Sequence, residues 1–554
     1  MPTNTLTIID TTGVQGYIFG SNRLRENVGA SQLVEMATHE FLDEALQKAK
    51  LQHNCTSGFQ DKHIEDGLDV EVILRGGGNA VLRSRDESVA KAVVHQLSRL
   101  LVQRAPGLEF AAAHHSFDWD TQALGGKGGE YEKLIGKLNQ AKQQRHPSTP
   151  LLGQSVTLEC RSTRLPAVGF GPAIGNDPAE PLSADVLAKI NQDIQKQAEK
   201  RLTDIFSSVA AGYSFRRDFD ELGGSKDESR YIAVVHADGN GIGKRFEYVI
   251  RQHSQPGAGN CACLAALQEL SAAVAKAGTV ALQQTVKKLV ETFKHLPDGI
   301  NDDTRKAWLT FIQGLVPEGT DIPWLPLRPI VFGGDDVTFV CDGRLGLPLA
   351  AIYLREWERA SYSLPYGGPA HACAGVAVVK THYPFARAYN LSNDLCKHAK
   401  SSVKDANVQA SALDWHFAFS GIFGAVGQIR KREYEVQDGQ LAMRPVVLSG
   451  TGFTPHWRVW PAFKQLVGIF AGDVMINDKV YANRNKVKGL REALRSGGDA
   501  VQRFRSAYTL GSLPMLDSSN THLQATGWID RRCGYFDAIE ALDFFLPIDP
   551  WVMP

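Results

Sequence analysis

The chain has 554 residues, of which 43% are hydrophobic and 22% are charged. This length predicts three or four domains, and the composition is that of a protein with a full hydrophobic core. Lysine plus arginine and aspartate plus glutamate each number 60, so the formal net charge is zero. This balance excludes a global electrostatic attraction to nucleic acid or to anionic membranes, so a polyanionic ligand must be held by local groups.

The sequence also predicts the compartment. The opening segment MPTNTLTIIDTTG lacks the charged and apolar regions of a signal peptide, and no uninterrupted apolar run reaches about 18 residues. Eight cysteines are scattered along the chain without a CxxC pair, which disfavours a disulfide framework and a structural zinc site. We therefore expect a cytoplasmic protein with no membrane partner.

The first part of the chain predicts a mixed α and β module. Residues 6–36 indicate a strand, a glycine-containing turn and a helix, residues 70–84 indicate a β-hairpin around glycines, and residues 110–119 indicate a further strand. A polar segment follows, with helices predicted over 137–147 and 184–205. A polar linker, ELGGSKDESR, ends this part of the chain.

The same order of elements then returns, which indicates an internal repeat. Residues 231–250 predict a strand, a glycine-rich turn and a helix, residues 328–342 predict a hairpin, and residues 371–380 predict the closing strand. An insertion at 262–318 predicts two helices. The chain beyond residue 428 is mainly helical in pattern, notably in the runs NRNKVKGLREALRSGGDAVQRFRSAY and YFDAIEALDFFLP.

Acidic side chains follow two apolar strands of the second module. Asp238 ends the strand in IAVVHAD, and Asp335 and Asp336 lie at the hairpin tip behind Gly333 and Gly334. If the two strands are neighbours, the three carboxylates meet at one sheet edge, as needed to hold two divalent ions about 4 Å apart for phosphoryl transfer. Carboxylates suit Mg²⁺, and glycines let a nucleotide approach the backbone. An ordinary hairpin turn is the alternative, because glycine and aspartate are common turn residues.

Two further features are candidates for contacting phosphate. The segment DGNGIGK places Gly239, Asn240 and Lys244 between a strand and a helix, where backbone N–H groups bind anions. A simple turn and a solvated lysine are the alternatives there. The helix predicted over 383–402 carries Lys400 near its end, within reach of a triphosphate. A lysine at that end also stabilises the helix dipole, so this alternative stays open.

Three motifs of the second module carry a resemblance to a known family. HADGNGIGK, RPIVFGGDDVTFVCDG and CAGVAVVKTHYPFARAYNLSNDLCKHAK are similar to the second palm domain of the large catalytic subunit of type III CRISPR effector complexes. GVQGYIFGSNRLRENVGAS and LRGGGNAVL resemble the first palm of that subunit, and the region from RPVVLSG resembles its helical final domain. The resemblance covers nearly the whole chain, and GGDD is its specific part. GGDEF diguanylate cyclases and class III nucleotide cyclases share the same core fold.

The resemblance implies an α+β fold with two ferredoxin-like palm domains and helical inter-palm and C-terminal domains. The implied divisions are a first, degenerate palm at 1–135, an inter-palm linker domain at 136–225, a second, catalytic palm at 226–425 with the helical insertion, and a C-terminal domain at 426–554.

The resemblance also implies a function. It predicts a nucleotidyltransferase that converts ATP to cyclic oligoadenylate second messengers with Mg²⁺ or Mn²⁺, in antiviral signalling. By position, Asp238 and Asp335 bind metal, and Asp336 supports the metal or the nucleophile. The two hairpin glycines border the nucleotide, and Lys400 contacts its triphosphate.

The chain departs from the family pattern in three places. The family's N-terminal HD nuclease has no room before the first strand, so we expect no HD-type DNase activity. Its four-cysteine zinc ribbon is represented by Cys160 alone. The first palm has Asp10 but GGGN at 76–79 instead of GGDD, so we expect it to be non-catalytic, with Gly77 and Asn79 either contacting an acceptor nucleotide or filling a structural role. These departures predict a reduced relative, and action within or outside an RNA-guided complex stays open.

Two other functions stay open. A cyclic dinucleotide synthase would use GTP or mixed nucleotides with the same carboxylates. A catalytically silent scaffold would bind RNA or effector-complex subunits through basic segments such as 142–146, 430–432 and 484–505, which solvated charged faces also explain. The three acids favour the enzyme, because a scaffold has no need to bury them.

Overall fold

The computed structural model describes residues 3–55, 60, 62–145, 156–172, 179–216, 218–219, 222, 230–317, 319, 321–419, 424–449, 453, 455–474, 484–516 and 520–551. Contacts within the chain divide it into two compact units. The first comprises Met1–Asp204, Gly241–Lys276 and Ser363–Gly368, and the second comprises Ile205–Asn240, Ala277–Tyr362 and Pro369–Pro554. Within the described ranges, no helix combines the length and the hydropathy that crossing a membrane requires.

Strands and helices alternate along most of the chain. The first part contains β1 (Thr3–Thr12), α1 (Val14–Phe19), α2 (Leu24–Thr38), α3 (Glu40–Lys48), β2 (Val70–Gly76), β3 (Asn79–Ser84), α4 (Glu87–Arg104), β4 (Glu109–Asp118), α5 (Glu130–Gln144), β5 (Gly169–Phe170), β6 (Pro181–Leu182), α6 (Ala184–Lys189) and α7 (Gln192–Phe206). The middle part contains β7 (Ser214–Phe215), β8 (Tyr231–Gly239), α8 (Ile242–Gln252), α9 (Ala258–Lys294), α10 (Asp302–Gln313), β9 (Trp324–Leu325), β10 (Leu327–Val331), β11 (Asp336–Asp342), α11 (Gly346–Ala360), β12 (Ala372–Lys380) and α12 (Phe385–Asp405). The last part contains β13 (Ala412–Phe417), α13 (Val426–Tyr434), β14 (Glu435–Val436), β15 (Gly439–Gln440), β16 (Val446–Val447), α14 (Trp460–Ala471), α15 (Arg484–Arg495), α16 (Gly498–Tyr508), α17 (Thr521–Thr526), β17 (Trp528–Ile529), β18 (Arg532–Cys533) and α18 (Phe536–Glu540).

The first unit contains a four-stranded antiparallel sheet with the strand order β2-β3-β1-β4. Its apolar positions, such as Leu6, Ile8 and Val81, are buried, because alternate side chains of a strand point to the same face. Near the end of β1, Asp10 lies opposite Asn79, the first residue of β3. Helix α5 follows β4 along the chain and packs on β4 and β1.

The second unit contains a six-stranded sheet with the order β10-β11-β8-β12-β13-β16. Its first four strands repeat the order and the antiparallel pairing of the first sheet. Strand β12 is central and buried at every residue except Lys380, and it pairs in parallel with β13. The internal repeat of the sequence is therefore present as two sheets that share one strand order. The palm interpretation and the four domain boundaries stay predictions.

Two helices predicted from the sequence are interrupted in the structure. The helix predicted over 184–205 is two helices, because the side chain of Asn191 accepts a hydrogen bond from the backbone N–H two residues later, at the start of α7. The run 483–508 is divided into α15 and α16 at Gly497, whose φ of 100° is incompatible with a continuous helix. The carboxylate of Asp438 accepts a hydrogen bond from the backbone N–H of Gly498 at 2.7 Å, at the start of α16.

Other predicted elements lie close to where the sequence placed them. Helix α12 corresponds to the helix predicted over 383–402, and α9 and α10 are the two helices of the insertion, although α9 begins four residues earlier than 262. The helix predicted over 535–547 is shorter than expected, because α18 ends at Glu540 and a 3₁₀ turn follows. Most of the polar linker 221–230 lies outside the described residues.

Helix α12 lies directly on β12 because Gly375 has no side chain. A Cβ atom at this position would lie 1.9 Å from the carbonyl oxygen of Ser392 and 2.5 Å from the nitrogen of Cys396, which are both backbone atoms of α12. Such distances are far below van der Waals contact, so the helix could not stay in place over a larger residue. Gly375 thus sets the height of α12 above the sheet, and with it the position of Lys400 near the end of β8.

We expect Gly375→Ala to destabilise the protein by about 1–3 kcal/mol, because the added methyl group overpacks the contact between α12 and β12. Gly427→Ala is the matched control, since a Cβ atom at Gly427 meets nothing within 4 Å and the residue lies exposed in α13. The control should be unchanged or slightly more stable. Denaturant unfolding of both variants measures the difference, and equal stability of the two would contradict the packing described for α12.

Candidate active site

The predicted acidic residues lie together at one edge of the second sheet. Strand β8 runs antiparallel to β11, so the end of β8 meets the start of β11, and Asp336 lies opposite Asp238 in the register. The two side chains share one face of the sheet, because directly opposed residues of an antiparallel pair point the same way. The N–H of Gly239 donates to the carbonyl oxygen of Asp335 at 3.1 Å, which joins the hairpin turn to β8.

Helix α9 supports the hairpin turn from behind. Gly333 has a φ of 110°, which favours glycine, and a Cβ atom on Gly334 would meet nothing within 4 Å. The carbonyl oxygen of Gly334, in contrast, would lie 2.0 Å from a Cβ atom built on Gly278 of α9. The absence of a side chain at Gly278 therefore lets the helix touch the backbone of the turn. Gly278 was not predicted from the sequence, because it stands within an ordinary helical pattern.

The carboxylates of the hairpin are held in an unfavourable electrostatic environment. Burial and the nearby Asp238 carboxylate raise the pKa of Asp335 to about 6 and that of Asp336 to about 7. The Asp336 side chain is 47% exposed, but its Oδ1 atom is buried and accepts no hydrogen bond. Acids with raised pKa values and an unsatisfied oxygen are typical of sites that bind a cation or transfer protons.

Lys400 lies against this acidic edge. Its Nζ atom is 2.6 Å from Oδ2 of Asp238 and donates to the carbonyl oxygen of Gly239 at 3.1 Å. The lysine therefore neutralises the charge of the Asp238 carboxylate. Lys397, one turn earlier, points elsewhere and lies 3.9 Å from Asp394. A contact between Lys400 and a triphosphate stays a prediction, and it requires the ammonium to turn from Asp238 or to bridge both groups.

His236 lies beneath the carboxylates and was not singled out from the sequence. Its Nδ1 atom is 3.1 Å from Oγ1 of Thr338 and 3.3 Å from Oδ1 of Asp336, and its ring packs edge-on against Tyr389. Burial lowers the pKa of His236 to about 4, so the ring is neutral at neutral pH. The signal was present in the strand alternation, because His236 precedes Asp238 by two residues and so points to the same face.

The glycine-rich turn contributes less to an anion site than its sequence suggests. The N–H of Gly239 is used by Asp335, and the N–H of Asn240 donates to the carbonyl oxygen of His371 at 2.8 Å. Both N–H groups are thus satisfied within the protein. Lys244 is exposed on α8, which belongs to the first compact unit. The nucleotide contacts predicted for Gly239, Asn240 and Lys244 stay predictions.

The first sheet carries a related but incomplete arrangement. Asp10 faces Asn79 as Asp238 faces Asp336, and Lys142 of α5 pairs with Asp10 as Lys400 pairs with Asp238. The position of the second carboxylate is therefore filled by a neutral amide, which is exposed.

The donor chemistry of the edge suits a hard divalent cation, although the side chains are not grouped as a finished metal site. Among the described residues, no three His, Cys, Asp or Glu side chains lie close enough together to hold a metal ion. Asp238 and Asp336 nevertheless present oxygen donors on one face, and the buried Oδ1 of Asp336 has no partner. Oxygen donors of this kind fit Mg²⁺ and Mn²⁺, which keep water ligands and complete their shell with substrate phosphates.

Solved structures of Csm1 share the fold of this chain. The apo Csm1–Csm4 cassette matches with a TM-score of 0.51 and 14% identity, and the match covers 98% of this chain and 70% of that chain. The Csm1–Csm4 cassette in complex with one ATP matches with a TM-score of 0.50 and 13% identity, covering 99% and 70%. Csm1 of T. onnurineus matches with a TM-score of 0.46 and 13% identity, covering 99% and 70%.

No protein-family model matches the chain, and no curated protein matches it. At identities of 13–14% the likeness to solved structures establishes the fold. The structural neighbours are thus Csm1 subunits of type III CRISPR complexes, the family that the sequence resembles.

The raised pKa values predict how the stability of the metal-free protein depends on pH. Asp335 and Asp336 bind protons more tightly in the folded state than in the unfolded state, so their contribution to stability falls as pH rises from about 4 through about 7. We expect the melting temperature of the double variant Asp335→Asn, Asp336→Asn, measured relative to the wild type, to rise by about 2 °C or more between pH 5 and pH 8.

Thermal unfolding in EDTA across this range measures the effect, and the difference between variant and wild type at pH 5 is the reference for the difference at pH 8. A difference in melting temperature between variant and wild type that stays constant from pH 5 to pH 8 would show that the two carboxylates are not buried beside a like charge.

Proposed function

We propose that the protein is a nucleotidyltransferase that joins ATP into oligoadenylates, with cyclic products, in the manner expected of a type III CRISPR large subunit. The observation that carries the proposal is the opposition of Asp238 and Asp336 on adjacent strands, with Lys400 paired to the first of them. The likeness to Csm1 in complex with one ATP supports the choice of nucleotide.

The residues of the edge have distinct roles in this proposal. Asp238, Asp335 and Asp336 would hold Mg²⁺ or Mn²⁺, which supplies charge neutralisation at the reacting phosphate and activates the attacking hydroxyl. Lys400 exchanges its contact with Asp238 for the triphosphate, and Gly333 and its neighbour leave space for the nucleotide because they carry no side chain.

His236 acts as a positioning residue. It is neutral and buried, its Nδ1 forms a hydrogen bond with Thr338, and the ring packs beneath the Asp336 carboxylate, so it supports this side chain without adding a competing charge. A protonated imidazole at this place would compete with a bound cation for the same oxygen, and burial prevents that.

We further infer that the two sheets and their helices are two ferredoxin-like palm domains, of which the second is catalytic. The shared strand order supports this division. Asn79 in place of a second carboxylate leaves the first sheet without a pair of acidic ligands, so its role would be to bind an acceptor nucleotide or to support the fold.

The proposal includes a partner. Two of the matched structures are of Csm1 bound to Csm4, and a Csm4-like subunit of an effector complex is the partner that this fold suggests for the chain. In that setting the oligoadenylates would serve as antiviral second messengers.

A silent scaffold is less well supported than an enzyme. Two carboxylates with raised pKa values and an unpartnered buried oxygen destabilise the folded protein, and a scaffold gains nothing from them. A synthase that uses GTP or mixed nucleotides would rely on the same acids, so the products of an assay with both ATP and GTP separate it from the proposed activity.

The double variant Asp335→Ala, Asp336→Ala should lose at least about 100-fold in pyrophosphate release and product formation with ATP and Mg²⁺, because it removes groups that stabilise charge in the transition state. The matched change in the first sheet, Asn79→Ala, should retain the chemical step. Mass spectrometry of the products and melting curves on the same samples measure activity and folding together. A folded double variant with full activity would contradict the proposed mechanism.

Gly278→Ala tests the support of the hairpin by α9. The added methyl group would lie 2.0 Å from the carbonyl oxygen of Gly334, so the turn must move. We expect a loss of about 10- to 100-fold in turnover, because small displacements of catalytic groups are costly, while the protein stays folded. Gly427→Ala is the matched control and should keep wild-type turnover. A Gly278→Ala variant as active as this control would show that the turn tolerates displacement.

A further inference from the structure

A cavity lies in the second unit, and the carboxylates of the hairpin do not line it. Its volume is about 340 Å³. It is lined by His398, Ser402, Arg430, Gln440, Ala442, Arg444, Pro445, Arg458 and Arg532. Four of these nine residues are arginines, and none of them is acidic. Cationic walls around a space of this size are typical of a site for a small anionic ligand.

Two of the arginines are compensated by acids that lie behind the cavity wall. Arg430 is 2.6 Å from the buried carboxylate of Asp414, which also accepts from His398 at 2.7 Å. Arg444 is 3.2 Å from Asp537 and 3.0 Å from a carboxylate oxygen of Glu540. These acids hold the two guanidinium groups in place but do not line the cavity.

The other two arginines form no direct ion pair within the described part of the chain. Arg458 is 7% exposed and donates to the carbonyl oxygens of Met443 and Pro445. Arg532 donates to the carbonyl oxygen of Ala442 at 2.8 Å. Burial and the nearby Arg532 charge lower the pKa of Arg458 to about 9, although the more distant carboxylates of Asp414 and Asp537 act in the opposite direction. A buried cation without a carboxylate in direct contact is costly, and an anion beside it lowers that cost.

Unsatisfied donors are present in the same wall. The side chain of Arg444 is fully buried, and its Nε and Nη2 atoms have no hydrogen-bond partner. The Nε atom of Arg430 is also buried without a partner. The two guanidinium groups also lie over aromatic rings, Arg444 over Trp415 and Tyr434 and Arg430 over Tyr434. Buried donors are nearly always satisfied in folded proteins, so an anionic acceptor in this wall would be bound favourably by the N–H groups that have no hydrogen-bond partner.

We propose that this cavity, which we call the arginine pocket, binds a small phosphate-bearing anion. Guanidinium groups match phosphate oxygens with paired, charge-assisted hydrogen bonds, and four of them around one space favour a phosphate over a carboxylate. The cavity is larger than an inorganic phosphate needs, so it also accommodates the remainder of a phosphorylated small molecule such as a nucleoside monophosphate.

The arginine pocket and the candidate active site share helix α12. His398 and Ser402 are four residues apart and line the pocket, whereas Lys400, between them in sequence, lies on another face of the helix and contacts Asp238. A ligand in the pocket would therefore contact the same helix that carries Lys400. The binding proposal itself does not depend on the proposed catalytic function.

Calorimetric titration of the full chain in EDTA tests the proposal with three separate probes: inorganic phosphate, pyrophosphate and AMP. We expect saturable binding to the wild type and a loss of at least about tenfold in affinity for Arg532→Gln, with partial recovery in Arg532→Lys. Arg432→Gln removes the same charge from an exposed position of α13 and should bind as the wild type does. Lys400→Gln should also bind normally, which separates the pocket from the hairpin carboxylates.

The three probes distinguish the source of the phosphate. Tighter binding of AMP than of phosphate identifies a nucleotide ligand, and equal or weaker binding identifies a free phosphate or pyrophosphate. Melting curves establish that each variant is folded. If Arg532→Gln does not fold, His398→Gln takes its place, because the His398 side chain lines the pocket and is 47% exposed. No saturable binding by the wild type, equal losses in Arg532→Gln and Arg432→Gln, or loss in Lys400→Gln alone would overturn the proposal.

Discussion

The opposition of two like charges on adjacent strands organises the second sheet. Asp238 and Asp336 occupy one register position, where mutual repulsion and burial act against ionisation. The structure holds them there through contacts between backbones rather than through compensating charge alone. Gly375 lets α12 approach from one direction, and Gly278 lets α9 touch the hairpin turn. The acids are therefore kept together by close backbone packing at two glycines, one in strand β12 and one in helix α9.

The two sheets show what one substitution does to such an arrangement. Each sheet has an aspartate near the end of its first strand in the chain and a lysine from the helix that follows its fourth strand in the chain. In the first sheet the opposing residue is Asn79, so the repulsion is absent and the Asp10–Lys142 pair is a simple ion pair. The two sheets thus share the same geometry, but only the second has two carboxylates that repel each other.

Much of this architecture could be predicted from the sequence, because apolar strands bounded by glycines are strong local signals. The hairpins, the repeat and the meeting of Asp238 with Asp336 follow from strand order and alternation. Gly278 and Gly375 could not be identified in this way, because each is required by a close contact with backbone atoms that are distant in sequence. The helix breaks at Asn191 and Gly497 depended on capping groups that periodicity does not register.

The arginine pocket was beyond prediction for a similar reason. Its residues come from α12, α13, the segment around residues 440–445, Arg458 and Arg532, and each arginine alone reads as an ordinary surface cation. Only the folded structure shows that the four arginines line one cavity and that the nearby acids are paired with Arg430 and Arg444 behind its wall. The sequence segment 430–432 was considered as a basic patch for RNA, yet Arg430 is buried and paired with Asp414, while Arg432 is exposed.

The contact between Lys400 and Asp238 has a consequence for the order of ligand binding. The ammonium group occupies a carboxylate that the proposed cation needs, and it is also the group proposed to meet the triphosphate. On the proposed function, a nucleotide that draws Lys400 away would uncover Asp238, and a cation at Asp238 would free Lys400 for the nucleotide. The two ligands would then be thermodynamically linked, so each would strengthen the affinity for the other by the same factor. Lys400 would thus keep the Asp238 carboxylate paired until the nucleotide and the cation bind together.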